Sequence, residues 1–286
     1  VPSSAVELLE LLDLETIDVN LFRGIQPDTS LQRVFGGQVA GQALVAGART
    51  VEAPRSVHSL HSYFLRPGDP SVPIVYDVER IRDGRSFSTR RVVARQHGRP
   101  IYYMTASFQV PEGGFEHQDE MPQVPGPEAA VDMSELVRRR SPEHAELWVK
   151  EWSALELRWI GDSRPGGVIV QDGRPGQSQL WMRVSGPLAG DPVVHQAAFT
   201  YASDMTLLGS ALVPHGVQIS DPRVQSASLD HTIWFHRPFR ADEWMLYDQV
   251  SPSASGARGL AFGRVFAQDG RLVASVAQEG LIRPRD

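Results

Sequence analysis

The sequence predicts an α+β protein in which one helix-and-sheet unit occurs twice, and three observations predict it. Long runs rich in Val, Ile, Phe and Tyr, such as "PIVYDVERI" at 73–81 and "GLAFGRVFAQ" at 259–268, read as extended strands. An apolar helical stretch precedes each set of strands, "GGQVAGQALVAGA" at 36–48 and "HQAAFTYASDMTLLGSAL" at 195–212. The motif "HSYFLRP" at 61–67 recurs as "HTIWFHRP" at 231–238, where Phe64, Arg66 and Pro67 meet Phe235, Arg237 and Pro238 at an offset of 171. A long helix wrapped by a curved antiparallel sheet, present in two copies, implies two sheets joined edge to edge as a built-in pseudo-dimer.

The elements follow in order. Residues 3–12 form an amphipathic helix, with Ser4 and Glu7 at capping-box spacing ahead of Leu8, Leu9, Leu11 and Leu12. The first repeat with this leading helix spans 1–115. From 111 to 130 Pro, Gly and acidic residues cluster as a surface linker, and a helical stretch follows at roughly 133–150. The whole of 116–190 reads as linker and connecting segment, and 191–286 as the second repeat. The register of the repeat persists: Tyr76-Asp77 meets Tyr247-Asp248, and "HGRPI" at 97–101 meets "DGRLV" at 269–273 after one inserted residue.

Composition narrows the classes. Hydrophobic residues make up 41% and charged residues 22% of 286, which leaves ample material for a core. A formal net charge of −6 gives no general affinity for nucleic acid. The chain has no cysteine, which excludes disulfides, a thiol nucleophile and thiolate metal sites and fits a cytoplasmic setting. The first 24 residues lack a basic start and apolar run, and no apolar stretch approaches the roughly 18 residues of a membrane span, so a soluble protein is expected. No nucleophile elbow and no P-loop occurs, and "GGQVAG" lacks the spacing of a dinucleotide loop. His58 and His61 fall on opposite faces of a strand, the wrong geometry for one metal, and no metal or cofactor is expected.

The residue that stands out is Asp204. Ala197, Tyr201, Leu208 and Ala211 line one helical stripe, and Asp204 sits inside it, where an ionised carboxylate is costly unless bonded. Either it caps a helix at a kink, or it does chemistry. Two more polar residues join it. Gln278 closes an otherwise apolar strand face, Leu272, Ala274 and Val276, and Ser228 opens the strand carrying the repeated motif. The repeat register sets Ser228 against Val57 and Gln278 against Ala106, and brings Asp204 near Gln42. A pseudo-dimer that kept one of two ancestral sites would show this asymmetry. A carboxylate can take a proton from water while a hydroxyl and an amide orient that water. Candidate donors to an oxyanion are the backbone at Gly37, in a glycine-rich helix start, and His58.

On the stretches "LFRG", "VFGGQVAGQAL", "VHSLHSYFLRPGDP", "PIVYDVERIRDGRSFSTRRV", "MTASFQ", "YASDMTLL", "LDHTIWFHRPF" and "AQEG", the chain resembles the acyl-CoA thioesterase II family. The resemblance covers nearly all of it outside roughly 115–190. It implies a double hot-dog fold and hydrolysis of fatty acyl-CoA to fatty acid and CoA. The family holds its attacking water with an Asp, a Thr or Ser, and a Gln. These match Asp204, Ser228 (where many members carry Thr) and Gln278.

On that reading Asp204 is the general base, and attack by Asp204 itself through an anhydride stays open. Arginines between Arg80 and Arg99 are candidates for the CoA phosphates, and Phe35, Tyr63 and Trp234 for the acyl channel. A homo-dimer or tetramer is implied. Two other readings are a hot-dog hydratase or dehydratase, disfavoured because the first histidine after Asp204 is His215, and a non-catalytic acyl-CoA binding module.

Overall fold

The computed structural model describes residues 1–169 and 176–285. The first half contains helix α1 (Ala5–Leu12), strands β1 (Glu15–Asp18) and β2 (Leu21–Gly24), helix α2 (Gly36–Ala48), and strands β3 (Ser56–Phe64), β4 (Ile74–Asp83), β5 (Phe87–Gln96) and β6 (Arg99–Gln109). The intervening segment carries β7 (Val131–Asp132), α3 (Met133–Arg140) and α4 (Pro142–Trp152). The second half contains β8 (Leu155–Asp162), β9 (Gly176–Val184), α5 (Pro192–Ser203), β10 (Val224–Ser228), β11 (Asp230–Phe235), β12 (Met245–Ser255), β13 (Arg258–Ala267) and β14 (Leu272–Pro284).

The strands form one antiparallel sheet with the duplication written into its order. At its centre β3 pairs with β11, Leu60 opposite Ile233. Outward from that pair, β6, β5, β4, β2 and β1 on one side match β14, β13, β12, β9 and β8 on the other. This is the α+β double hot-dog architecture. The match also corrects the domain boundary: β8 and β9 hold the places of β1 and β2. The second unit therefore begins at β8, inside the segment 116–190 read as a connection.

Helices α2 and α5 lie together on the inner face of the sheet. Every residue from Gly37 to Gly47 is buried, and the small side chains of Ala40, Ala43, Ala197 and Ala198 are fully enclosed. Small residues let the backbones approach: a β-carbon on Gly37 would lie 2.0 Å from the Tyr201 carbonyl oxygen. Helix α1 closes one flank, capped by Ser4, whose hydroxyl accepts from the Glu7 amide at 3.2 Å. No helix among the described residues is long and apolar enough to cross a membrane.

Two helical runs are broken where the sequence reads them as continuous. The run at 133–150 divides at Ser141–Pro142, because proline clashes with a preceding helical residue and is well suited to start a helix. The run at 195–212 ends at Asp204, and a 3₁₀ turn spans Leu207–His215. Hydroxyls loosen the last turn of α5: Thr200 bonds back to the Gln196 carbonyl and Ser203 to the Thr200 carbonyl.

Candidate active site

The break in the helix answers the question Asp204 poses. It is the C-cap of α5, with its side chain turned toward the sheet rather than along a helical stripe. Tyr76 and its repeat partner Tyr247 mark the equivalent places: the Tyr76 hydroxyl bonds Gln42 and the Tyr247 hydroxyl bonds the Ser203 carbonyl, which brings Asp204 near Gln42. Gln42 is buried mid-helix and also bonds the Leu11 carbonyl.

Ser228 and Gln278 reach Asp204 from neighbouring strands. Ser228 lies opposite Gly280, two residues from Gln278 on the same face of β14. It closes β10 instead of opening the motif strand. From Ser228 to Thr232 the chain takes one residue more than its partner does from Gly280 to Ala277, a β-bulge beside the site. Gln278 lies in the middle of β14, fully buried, opposite Ala261.

The three side chains form a closed set. Ser228 Oγ donates to Asp204 Oδ1 at 2.9 Å. Gln278 Nε2 donates to the same oxygen and to Ser228 Oγ, the latter at 3.0 Å. The amide of Gly37, in the first turn of α2, also donates to the carboxylate. Gln278 Oε1 is buried and has no protein partner among the described residues. Gly36 is required here because a β-carbon would lie 2.5 Å from Asp204 Oδ2 and 2.9 Å from the Phe64 ring.

Burial pushes the Asp204 carboxyl up to about 6, against the opposing pull of the bonds from Ser228, Gln278 and Gly37. No cation is among the groups that act on it. The negative end of α5 disfavours the anion, whereas the positive end of α2 favours it. The result is a carboxylate that is ionised at neutral pH and more basic than a solvated one.

The other candidates divide. Phe35 adjoins the site, packing edge-on against Tyr201 at 5.2 Å and Trp152 at 5.0 Å between ring centroids. His58 is not brought to Asp204. It occupies the bulge of β3, with Nε2 2.8 Å from Ser107 Oγ and its ring against Phe87 on the outer face. Tyr63 and Trp234 also face outward, 50% and 38% exposed, stacked on Tyr103 and edge-on to His61. The alternation of β3 and β11 puts Tyr63 and Trp234 on the side of the sheet away from Asp204, and the bulge puts His58 there with them. Of the arginines, Arg90 is buried and bonded internally, Arg91 pairs with Glu79, and Arg80 bonds Asn20. Sequence reasoning missed Phe64 and Ala261, although Ala261 could have been found by setting it against Arg90 in the repeat.

A buried carboxylate with a hydroxyl and an amide converging on one oxygen, set between two helix ends in a double hot-dog, is an arrangement able to hold and deprotonate water. The comparisons with known proteins give the family. A family model described as acyl-CoA thioesterase matches residues 161–281, and one described as acyl-CoA thioesterase N-terminal domain matches 25–109. Human acyl-coenzyme A thioesterase 8 is 42% identical over 98% of this chain and 89% of its own length. The crystal structure of an acyl-CoA thioesterase II from Mycobacterium marinum is 46% identical, covers 98% of this chain and 99% of that one, and superposes with a TM-score of 0.83. A hot-dog protein from Alicyclobacillus acidocaldarius shares the fold at 20% identity and a TM-score of 0.78. The chain belongs to the acyl-CoA thioesterase II family and is a thioesterase.

Proposed function

We propose that the chain hydrolyses fatty acyl-CoA with Asp204 as general base and Ser228 and Gln278 as the groups that orient water. The observation that carries this reading is the convergence of Ser228 Oγ and Gln278 Nε2 on Asp204 Oδ1, while Gln278 Oε1 remains free to accept from water. Water bound there loses a proton to Asp204 as its oxygen attacks the thioester carbonyl carbon. The positive end of α2, whose Gly37 amide already donates to Asp204, adds its dipole to the stabilisation of the charge that develops on the carbonyl oxygen. Collapse of the tetrahedral intermediate breaks the carbon–sulfur bond, and the proton held by Asp204 passes to the departing thiolate. Phe35 borders the acyl chain. Copies of the chain associate as a dimer or tetramer through the outer sheet face, where Tyr63 and Trp234 lie exposed, and the protein works in the cytoplasm.

The test is thiol release from a series of acyl-CoA chain lengths by the wild type and Asp204→Asn. Hydrolysis that collapses in the variant while acyl-CoA still binds supports the reading. Unchanged turnover in the variant refutes the assignment of Asp204, and binding without thiol release by the wild type would favour a binding module.

A further inference from the structure

Behind Asp204 a second polar chain ties the end of α5 to the two central strands, and the chemistry above does not use it. His231, on β11, is fully buried, and its Nε2 lies 2.8 Å from Oγ of Ser203, the residue immediately before Asp204. The Ser203 hydroxyl gives its own proton to the Thr200 carbonyl at 3.0 Å. The imidazole must therefore be the donor, neutral and protonated on Nε2, an assignment inferred from these bonds. Its Nδ1 is then a bare acceptor, and it has no partner among the described residues. The backbone is held as well: Ser62 Oγ on β3 donates to the His231 carbonyl at 2.6 Å, and the Tyr247 hydroxyl donates to the Ser203 carbonyl at 3.2 Å.

The first half shows that this chain is not needed for folding alone. At the repeat offset His231 corresponds to Leu60, which is equally buried. A leucine fills that place in the half that lacks the carboxylate. In the second half an imidazole with an unpaired nitrogen stands there, at a desolvation cost that Leu avoids. Burial pushes that imidazole down to about 3, so it stays neutral while Asp204 titrates and is neither acid nor base.

The geometry points to His231, acting through Ser203, as a positioning residue that fixes the Asp204 carboxylate against Ser228 and Gln278. The inference rests on the reading of Asp204 as general base. The last turn of α5 is loosened by its hydroxyls, and a carboxylate at its end swings unless Ser203 is anchored to the sheet. A misplacement of about 1 Å can cost up to about a hundredfold in rate.

Three variants test it: His231→Leu removes the donor, His231→Gln carries an amide nitrogen in the place of Nε2, and Ser203→Ala removes the acceptor. His231→Leu and Ser203→Ala should each lose about ten- to a hundredfold in kcat with KM nearly unchanged. The double variant should lose no more than either single one, and His231→Gln should recover most of the rate. A folded His231→Leu with wild-type kcat, equal loss in His231→Gln and His231→Leu, or losses that multiply in the double variant would overturn the inference. Should His231→Leu fail to fold, Ser203→Ala decides, and wild-type kcat there overturns it. Asp204→Asn runs alongside: if it is inactive while Ser203→Ala is unaffected, only the positioning role falls, whereas an active Asp204→Asn removes the general-base reading itself.

Discussion

Ser228 and Gln278 bond Asp204 at the end of α5, with Ala261 opposite Gln278 on the next strand, and the matched positions in the first half are Val57, Ala106 and Arg90. Arg90 lies opposite Ala106 just as Ala261 lies opposite Gln278. Its guanidinium, buried, is fully engaged: Nε with Thr50 Oγ1, Nη1 with the Arg82 and Thr89 carbonyls, and Nη2 with the Thr50 carbonyl and Asp83. The C-caps differ in sign. Arg49 caps α2 and bonds the Leu14 carbonyl and Asp13, whereas Asp204 caps α5. A cation at a helix C-terminus is favourable by typically about 0.3–1 kcal/mol, and an anion there is unfavourable. The half with the better electrostatics has no carboxylate at its helix end. On the proposed reading, reactivity in the other half depends on a group held where physics disfavours its charge, a common exchange of stability for function.

The sharpest way to break this comparison is to copy the inert half into the active one. Ala261→Arg places a guanidinium beside Gln278, fills the room next to the carboxylate and gives Asp204 a cationic partner that lowers its basicity. Thiol release should drop to the uncatalysed background while the fold, read by circular dichroism, persists. Full turnover in that variant would mean that the position opposite Gln278 does not border the reacting groups.

The pH dependence is the next largest effect. Asp204 must be ionised to accept a proton, and its carboxyl titrates at about 6. Thus kcat should fall about tenfold for each pH unit well below that value and level off above it. Stability has the opposite sign. The folded-state value lies above the ordinary 3.8, so the folded protein holds this proton more tightly than the unfolded chain. The stabilising contribution is complete below pH 3.8 and is lost as pH rises through about 6. Asp204→Asn lacks this loss, so its melting temperature should gain on the wild type between pH 4 and pH 7. A constant difference across that range would show that burial does not raise the carboxyl.

Much of this was legible in the chain because duplication supplies an internal reference. The repeated "HSYFLRP" and "HTIWFHRP" stretches set the two halves in register, and the apolar partners of Ser228 and Gln278 marked those two as exceptions. Strand pairing then follows from alternation, since a slip by one residue would turn Gln278 outward. What stayed hidden depends on where periodicity fails. The bulge at His58 turns that ring to the outer face, and a one-residue insertion in a ladder leaves no mark in composition. The end of α5 at Asp204 has no glycine or proline to announce it, so 195–212 read as one unbroken helix. Tyr63 and Trp234 looked like channel residues because aromatic type says nothing about which face of a strand is buried.

The smallest effect on turnover should come from Arg90→Met, and its value lies in that smallness. Methionine keeps much of the volume, so the place is not emptied, while the donors to Thr50, Arg82 and Thr89 are lost. Asp83 is 54% exposed and can return to water. Each buried acceptor left unpaired costs about 1–3 kcal/mol, so the melting temperature should fall by several degrees. The kcat should not move, because Arg90 bonds Thr50, Arg82, Thr89 and Asp83 and none of the groups that bond Asp204. If kcat falls together with stability, the halves are coupled through the sheet, and Arg90 acts as a brace for the working site as well as a plug for the idle one.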